Sequence, residues 1–326
     1  MKKSAIGIDI GGTSVKLGLV DERGSIIFRE SFLTKKFPGR DNLLNALASH
    51  TKLLTAMARK NGYRVDGVGI GAPGPIDVEL GFVYFFPNIP GWKNTPLRAV
   101  LEKKLKMKVR VDNDGNAMAL AEYVFGAGQG SKSMIALTLG TGVGGGIVLN
   151  GRLFHGTSYS AAEIGHLTIN ENGPACGCGS RGCIETYVGN GYFVNEVRRR
   201  LEAGSGSMLN RWIRKGEVLT PKLVQDAARA GDSFSKKMWD ETGYHLGTAL
   251  SGLVNILNPD RIVIGGGIAL GGELILGPVR RTIAKKAFPI ASRSARVLPA
   301  KLGPDAGLVE GDGREYDRLG EDPFLE

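Results

Sequence analysis

The three cysteines of the chain lie within eight positions of one another, in the stretch GPACGCGSRGCIE at residues 173–185. Cys176, Cys178 and Cys183 are too closely spaced for an unstrained set of disulfides, and an odd number leaves one thiol over. Three thiolates and one imidazole nitrogen form a complete tetrahedral shell for Zn²⁺. The candidates for the nitrogen are the four histidines, His50, His155, His166 and His245. We therefore predict a structural zinc site, with His166 nearest in sequence; the alternative is three packed or free thiols.

Glycine-rich turns follow three apolar segments that have the length and composition of strands. These turns are residues 11–13 (GGT), 140–142 (GTG) and 265–267 (GGG). Successive backbone N–H groups in such turns form concave anion sites, to which Thr13 and Thr141 add hydroxyl groups. Gly140, Gly142 and Gly145 also satisfy G-x-G-x-x-G, but a strand-like segment follows where a dinucleotide site needs a helix. Taken singly, each turn could be a plain hairpin, whereas three of them at corresponding places in two lobes favour phosphate binding.

The stretch VDNDGNA, residues 111–117, ends a predicted strand and opens a predicted helix. Its two carboxyl groups, Asp112 and Asp114, flank Asn113. A carboxylate close to phosphate-binding turns suits a general base that takes the proton from a substrate hydroxyl. The alternative for Asp114 is a simple helix N-cap, a role that aspartate often fills.

Strands and helices are predicted to alternate along most of the chain. Apolar and alternating segments between residues 5 and 31 predict three strands in a meander, and helical spacing over residues 41–61 predicts a helix with Asp41 as its cap. Further strands are predicted in residues 65–74, which feed a Gly/Pro loop, in 109–114, in 133–154 around a glycine turn, in 261–267 entering a glycine turn, and in 295–300. Helices are predicted over residues 95–105, with Pro96 in the first turn, over 116–128, ending at glycine, and over 273–287, and residues 189–257 are predicted to be helical. The alternation indicates an α/β fold.

Two segments of the chain resemble each other. Residues 9–21 (DIGGTSVKLGLVD) align with residues 138–150 (TLGTGVGGGIVLN), and an apolar segment follows the glycines in both. A weak internal duplication of this kind is typical of a two-lobed protein. We expect a smaller N-terminal lobe over residues 1–113, joined by the C-terminal segment 301–326, and a larger lobe over residues 114–300.

The composition is that of an ordinary globular protein, with 42% hydrophobic and 23% charged residues. The 42 basic and 32 acidic residues give a net charge of +10. The basic residues are spread over predicted helices, so we interpret them as solvated helix faces rather than as a nucleic-acid site. No apolar run approaches the ~20 residues of a membrane span, and the first residues lack the apolar length and cleavage site of a signal peptide. We therefore expect a cytoplasmic protein that binds neither membrane nor nucleic acid.

Two of these motifs resemble known ones. GIDIGGTSVKLGLVD, from residue 7, resembles the first phosphate-binding loop of the superfamily of sugar kinases, Hsp70 and actin. EIGH followed by CGCGSRGCIE resembles the ROK family (repressors, open reading frames, kinases), and the likeness extends over about residues 5–310, with ATP-dependent glucokinases the most similar branch. The resemblance implies a two-lobed actin-like, ribonuclease H-like ATPase fold. Because the tail after DAGL is richer in glycine and charge than is usual in the family, we expect its last helix to be short or shifted.

The resemblance implies roles for residues on the sugar side. Asp114 would be the general base that deprotonates the 6-hydroxyl of a hexose. The sugar hydroxyls would be bound by Asn88, Asn113, Asp114, Glu163, His166 and Glu185. His166 would also be the fourth zinc ligand beside Cys176, Cys178 and Cys183, in a zinc-binding loop over residues 166–183. The metal would then fix the loop that presents His166 and Glu185 to the sugar.

The resemblance also assigns residues to the nucleotide. Asp9 would lie near the Mg²⁺ of ATP. The two phosphate loops and the adenosine-side turn would consist of Gly11, Gly12, Thr13 and Lys16, then Thr141 and Gly142, then Gly265, Gly266 and Gly267. The implied cofactors are thus ATP, Mg²⁺ and a structural Zn²⁺. Closure of the lobes would align the 6-hydroxyl with the γ-phosphate and exclude water.

Glucose is the expected substrate. Asn116 stands where kinases for N-acetylmannosamine tend to have Gln, so NDGNA favours the glucose branch, while fructose, allose and N-acetylglucosamine stay open as substrates. The alternative of another class is a non-enzymatic sugar-responsive regulator. A regulator needs a DNA-reading element, and the first phosphate loop begins at residue 7, so we expect no helix-turn-helix ahead of it. The resemblance also implies a homodimer or homotetramer.

Overall fold

The computed structural model describes residues 1–309 of the chain. The short or shifted last helix expected in the C-terminal tail lies outside the described residues. The strands are β1 (Lys2–Ile10), β2 (Ser14–Asp21), β3 (Ile26–Leu33), β4 (Tyr63–Ala72), β5 (Ile76–Asp77), β6 (Phe82–Phe85), β7 (Lys93–Thr95), β8 (Lys108–Asn113), β9 (Met134–Leu139), β10 (Val143–Leu149), β11 (Arg152–Leu153), β12 (Arg261–Gly265) and β13 (Arg296–Pro299). The α-helices are α1 (Arg40–Lys60), α2 (Leu97–Leu105), α3 (Asp114–Phe125), α4 (Glu185–Val188), α5 (Asn190–Glu202), α6 (Met208–Arg214), α7 (Pro221–Arg229), α8 (Ser233–Leu257), α9 (Glu273–Lys286) and α10 (Pro289–Ser294).

Five strands form a first sheet in the order β3-β2-β1-β4-β8. β1 and β2 pair antiparallel, as do β2 and β3, so the predicted meander is confirmed. β4 pairs in parallel with both β1 and β8. β1 and the second half of β4 are buried almost throughout, which explains why they read as continuous apolar runs. Asn113 at the end of β8 lies opposite Ala72 at the end of β4.

A second five-stranded sheet has the order β11-β10-β9-β12-β13. β12 pairs in parallel with β9 and β13, and β10 pairs antiparallel with β11. Each sheet therefore contains three strands that are consecutive in the chain, followed by two strands in parallel pairing. The second sheet repeats the strand order of the first, and residues 9–21 and 138–150, which resemble each other in sequence, occupy corresponding places in the two sheets.

The described chain divides into two compact units. The first unit comprises residues 1–130, residues 146–162 and the described residues from Leu302 onward; the second comprises residues 131–145 and 163–301. The expected boundary near residues 113–115 lies inside the first unit. The reason is that α3 packs on β4 and on the 3-10 turn Gly303–Leu308, and the carboxyl group of Glu122 accepts the Leu302 N–H at 2.8 Å.

The first unit has an apolar core against which α1 packs. Leu43, Leu47, Leu54 and Ala58 of this helix are buried at the spacing that predicted it. The predicted helix is confirmed, but its predicted cap is wrong. The N-cap is Gly39, and Asp41 lies in the first turn, because the helix begins one residue before it.

Short elements gave little signal in the sequence. β5, β6 and β7 form a small antiparallel sheet from strands of two to four residues, and α10 is a helix of six residues. Pro96 is the residue before α2 rather than part of its first turn. Within residues 1–309 no helix combines the length and the hydropathy that crossing a membrane requires.

Candidate active site

Asp114 lies where β8 meets α3 in the first unit. Asn113 is the N-cap of α3: its Oδ1 accepts the N–H of Gly115 at 2.9 Å, and its Nδ2 donates to the carbonyl oxygen of Gly74 at 3.2 Å. The capping role that the sequence left open for Asp114 is therefore filled by Asn113. Asp114 is exposed in the first turn of the helix, where a negative charge is favoured, and its Oδ1 also accepts the Gly115 N–H at 2.8 Å.

The neighbouring carboxyl group, Asp112, is buried, with 2% of its surface exposed. Its Oδ1 accepts the backbone N–H of Asn113 at 2.7 Å and the side-chain amide of Asn116 at 2.8 Å. Its Oδ2 lies 2.7 Å from Nε2 of His155. Exposure thus separates the two aspartates: Asp114 is accessible to a substrate, whereas Asp112 is enclosed by hydrogen-bond donors.

The first glycine turn lies in the same unit. The Gly11 N–H donates to the Ser14 carbonyl at 3.0 Å, which closes the turn between β1 and β2. Gly12 is packed against Asn88 so closely that a Cβ at Gly12 would come within 2.9 Å of the Asn88 Cβ. The structure therefore places a residue expected to bind sugar beside one expected to bind phosphate, and Gly12, Thr13 and Asn88 are all exposed.

Asp9 and Lys16 form an ion pair next to this turn, on the paired strands β1 and β2. Lys16 Nζ lies 3.7 Å from Asp9 Oδ2 and donates to the Pro304 carbonyl at 3.3 Å. Burial raises the pKa of the Asp9 carboxyl group, and the Lys16 ammonium partly opposes that rise. A partly buried carboxylate beside a phosphate-type turn has the oxygen donors that Mg²⁺ prefers.

The four predicted metal ligands come together in the second unit. The side-chain donor atoms of His166, Cys176, Cys178 and Cys183 all lie within 4.8 Å of one another. The remaining histidines have other partners: His50 Nδ1 lies 2.6 Å from Glu30, His155 bonds to Asp112, and the ring of His245 packs on Tyr187. Of the four histidines that were candidates for the nitrogen ligand, His166 is therefore the one whose ring lies beside the three cysteines.

The spacing of these four donors fits a tetrahedral cation. Thiolates bound at about 2.3 Å in a tetrahedron stand roughly 3.8 Å apart. The Sγ atoms of Cys178 and Cys183 are 3.7 Å apart, and Cys176 Sγ lies 3.7 Å from Nδ1 of His166. Burial raises the pKa of the Cys176 thiol to about 11, whereas a hydrogen bond from the Ser180 backbone lowers the pKa of the Cys178 thiol. A bound cation would hold both as thiolates.

The loop that carries the cysteines has little regular structure of its own. Its ties are backbone hydrogen bonds, such as Cys176 N–H to Ser180 O at 2.8 Å and Ile184 N–H to Leu167 O at 2.9 Å. Gly182 has a φ of 64°, and a Cβ there would collide with the carbonyl oxygen of Asn170. Only glycine allows this close approach, which brings the chain back to Cys183.

Glu185 contacts the second glycine turn within the second unit. Its Oε2 accepts the N–H of Val143 at 2.9 Å, and a Cβ at Gly142 would lie 2.5 Å from that oxygen. Glu163 is exposed at the start of the 3-10 turn Ile164–His166, whose last residue is the candidate metal ligand. Within this unit the structure thus groups Glu185 with Gly142, and Glu163 with His166.

The third glycine turn approaches the same region through Asn190. The Asn190 N–H donates to the Gly140 carbonyl at 2.9 Å, and its Nδ2 would lie 3.7 Å from a Cβ at Gly267. Gly140 of the second turn and Gly267 of the third are therefore both neighbours of one residue, Asn190, through its backbone and its side chain. Asn190 was not predicted from the sequence, because it stands in neither glycine motif.

The model of the ROK family matches residues 5–311. The chain belongs to the ROK family. Among characterised members, the glucokinase of Halalkalibacterium halodurans is 39% identical over 94% of this chain and 93% of its own length. The glucokinase of Thermotoga maritima is 37% identical over 98% of this chain and 99% of its own.

Solved structures of ROK proteins share the fold. A ROK glucokinase from Streptomyces griseus in complex with glucose and AMPPNP is 35% identical, with a TM-score of 0.79 over 96% of this chain and 99% of that one. A ROK transcriptional regulator, a homologue of the Escherichia coli Mlc protein, is 25% identical, with a TM-score of 0.88 over 98% of this chain and 79% of that one. The chain therefore has the actin-like, ribonuclease H-like ATPase fold of this family, as the resemblance predicts.

Proposed function

We propose that this ROK protein transfers the γ-phosphoryl group of ATP to the 6-hydroxyl of glucose, with Asp114 as the general base. The observation that carries the proposal is the exposed carboxyl group of Asp114 at a strand–helix junction that Asn113 already caps. Asn113 caps the helix beside it, and the exposed carboxyl group of Asp114 is accessible to a substrate hydroxyl. The glucokinases that are 37% and 39% identical over nearly the whole chain support glucose and ATP as the substrates.

In the proposed reaction Asp114 accepts the proton of the sugar 6-hydroxyl as the oxygen attacks the γ-phosphorus. A new P–O bond forms to the sugar, the bond from the γ-phosphorus to the bridging oxygen breaks, and ADP leaves. Phosphoryl transfer needs mainly alignment and charge neutralisation, so the base contributes by orienting the hydroxyl and removing its proton. Asn113 would bind an adjacent hydroxyl, since its contact with Gly74 uses only one of its two amide N–H donors.

Three residues of the second unit would bind the other hydroxyls of the sugar. Glu185 is held by its bond to the Val143 N–H, which uses one of its carboxyl oxygens. His166 and Glu163 stand at the two ends of one 3-10 turn. Zinc, when bound by His166 and the three cysteines, would supply four rigid bonds to a loop that has few other ties. The loop's role would be to hold His166 and Glu185 in place.

On the nucleotide side the glycine turns would bind the phosphates through backbone N–H groups. In the first unit, Gly11 to Thr13 with Lys16 would bind phosphate oxygens, and in the second unit Thr141 with Gly142 would do the same. Asp9 would face the Mg²⁺ that accompanies ATP, which neutralises phosphate charge when bound. Gly265 to Gly267 would lie beside the adenosine.

The proposal is tested by ATP-dependent phosphorylation of a sugar panel: glucose, mannose, fructose, allose, N-acetylglucosamine and N-acetylmannosamine. We expect glucose to lead in kcat/KM by tenfold or more, about 1.4 kcal/mol of transition-state preference. If an N-acetyl sugar has the highest kcat/KM, the proposed reaction stands and the assigned substrate changes. Asn116 bears on this choice only indirectly, because it is buried and its side chain bonds to Asp112.

A non-enzymatic regulator is the second candidate, favoured by the TM-score of 0.88 to a ROK transcriptional regulator. This reading predicts sugar binding without phosphorylation, and DNA binding that weakens as salt rises. Gel retardation at low salt, run beside the sugar panel, separates the two candidates. We expect turnover of a hexose and no retardation.

A further inference from the structure

Asp112 accepts hydrogen bonds from residues on both sides of Asp114. Its Oδ1 accepts the N–H of Asn113, one residue before Asp114, and the side-chain amide of Asn116, two residues after it. These bonds measure 2.7 and 2.8 Å, and the carboxyl group that accepts them is buried. The orientation of the Asp112 carboxyl group therefore determines where the turn that carries Asp114 lies.

His155 fixes that orientation from another segment of the first unit. Its Nε2 lies 2.7 Å from Asp112 Oδ2, and the side chains are 18% and 3% exposed. Because Oδ1 already accepts two N–H groups, the arrangement is satisfied when Nε2 carries a proton and donates to Oδ2. With both oxygens held, the carboxyl group cannot rotate without breaking a buried hydrogen bond.

The loop that carries His155, residues 154–162, follows β11 and ends the segment 146–162 of the first unit. Tyr159 and Ala162 have φ values of 57° and 64°, in the left-handed region that disfavours side chains. A loop held in that conformation needs contacts with the rest of the fold to persist. The bond from His155 to Asp112 is a contact of this kind, and a backbone bond from Ala161 N–H to His155 O, 3.0 Å, closes the loop on the same residue.

We propose that His155 is a positioning residue for the base: through Asp112 it holds the Asn113–Asp114 turn in the geometry that phosphoryl transfer needs. This inference rests on the proposed function, in which Asp114 is the base. His155 does not touch substrate in this scheme; it acts through Asp112. A displacement of about 1 Å in a reacting group can cost about 100-fold in rate, so loss of the bond lowers kcat more than it weakens sugar binding.

The chain offers a matched control. His50 and Glu30 form a second histidine–carboxyl pair in the first unit, with Nδ1 2.6 Å from Oε1 and both side chains about a quarter exposed. His50 also stacks on Phe32, and neither His50 nor Glu30 belongs to the base segment. Substituting His50 removes a comparable hydrogen bond from the same unit and leaves the environment of Asp114 unchanged.

The experiment compares His155→Leu, His155→Gln and His50→Leu with the wild-type protein. Steady-state kinetics give kcat and KM for glucose and ATP, and thermal unfolding gives the loss of stability. We expect kcat of His155→Leu to fall 10- to 100-fold with KM for ATP unchanged. His155→Gln restores kcat to within about threefold of wild type, because its amide N–H can donate to Asp112. His50→Leu retains wild-type kcat.

The proposal is overturned if kcat of His155→Leu is no lower than that of His50→Leu, or if His155→Gln is as slow as His155→Leu. Should His155→Leu not fold, Asp112→Asn tests the same carboxyl group, since an amide keeps one oxygen and turns an N–H toward a donor that Asp112 now accepts, at His155 or at Asn113 and Asn116. We then expect a similar fall in kcat, and an unchanged kcat overturns the proposal.

Failure of the proposed function is distinguished by a readout that needs no turnover. If the wild-type protein phosphorylates no hexose, hydrogen exchange of the amides of residues 113–117 is compared between His155→Leu and His50→Leu. Faster exchange in His155→Leu alone supports the positioning of this turn while the kinase assignment fails. Equal exchange in the two variants overturns the positioning role as well.

Discussion

The base segment and the cysteine loop are built by different means. The base segment, residues 112–116, continues a strand of the first sheet into α3, and its position is set by strand pairing, a buried carboxyl group and a side-chain helix cap. The cysteine loop, residues 166–183, is mostly exposed, rich in glycine and held by scattered backbone hydrogen bonds. A polar loop of this kind buries too little apolar surface to fix itself.

The two segments are therefore sensitive to different changes. In the base segment, single side chains hold the geometry, so a single substitution should change chemistry without loss of the fold. In the cysteine loop, a metal bound by the four donor atoms that lie within 4.8 Å of one another would hold the loop in place. Removal of the metal should therefore change the loop's conformation more than the loss of any one surface contact.

The largest effect is expected from Asp114→Asn. The substitution keeps the size of the side chain and removes the proton acceptor, so kcat should fall by about 10²- to 10⁴-fold while the glucose Kd changes by less than about threefold. Steady-state kinetics and calorimetric glucose binding measure the two quantities. Asp41→Asn is the matched control, because Asp41 is also an exposed aspartate in the first turn of a helix. Turnover within tenfold of wild type in Asp114→Asn would place the base elsewhere.

Removal of the metal is expected to have the next largest effect. Treatment with a strong chelator, or Cys178→Ser, should raise KM for glucose by roughly 10- to 100-fold and lower the unfolding temperature, because the loop before Glu185 loses its fixing point. Elemental analysis of the freshly purified protein should find one zinc per chain. Ser180→Ala in the same loop is the control, since its backbone bond to Cys176 is retained. A protein without zinc, or an unchanged KM after chelation, contradicts this account.

Glu122→Gln should destabilise the first unit without a change in chemistry. The buried carboxyl group accepts the backbone N–H groups of Ala127 and Leu302, both at 2.8 Å. A glutamine would turn an amide N–H toward one of these donors, at a cost of about 1–3 kcal/mol in the free energy of unfolding. Denaturant unfolding measures that cost, and kcat should stay at the wild-type value. Glu102→Gln, which removes a carboxyl contact to Val109 N–H at a partly exposed site, should cost less.

Asp232→Asn should give the smallest effect, and one that depends on pH. Burial alone would raise the pKa of Asp232, but hydrogen bonds from Ser235, Met208 and Ser207 outweigh it and hold the pKa below its ordinary value of 3.8. The folded state thus prefers the charged form, so this stabilisation is present above about pH 3.8 and is lost as pH falls through the lower folded pKa. Asp232 accepts hydrogen bonds from Ser207, Met208 and Ser235, and an asparagine amide N–H would face one of these donors, so we expect a loss of about 1 kcal/mol at pH 7.

Thermal unfolding of wild type and Asp232→Asn between pH 7 and pH 3 checks this sign. The gap between the two unfolding temperatures should narrow on acidification, and a gap that stays constant to pH 3 would contradict the assigned pKa direction. The glucose KM should not change at pH 7. Asp232→Asn thus serves as a control for metal removal. If it destabilises the second unit and leaves the glucose KM unchanged, a rise in KM on metal removal comes from the cysteine loop and not from a general loss of stability.

Much of the fold could be predicted because its signals are local. The first three strands, α1 and the end of α3 at Gly126 follow from periodicity and glycine placement within a few residues of each element. The cap of α1 was misplaced because a one-residue shift in the start of a helix moves Asp41 from the cap into the first turn. Strands of two to four residues, such as β5 and β7, are too short to show a period.

The order of the amino acids alone sets which chemistries are available: three thiols at metal-ligand spacing, three glycine turns after apolar segments, and two aspartates around one asparagine. How those groups are used depends on the folded arrangement of the chain. His166, of the four histidines, lies beside the cysteines, and Asn113 caps the helix. Asp112 is buried whereas Asp114 is exposed. The fold also brings His155 to Asp112 across 43 residues of chain. These features depend on burial and on distances between remote segments, which local spacing in a sequence does not contain.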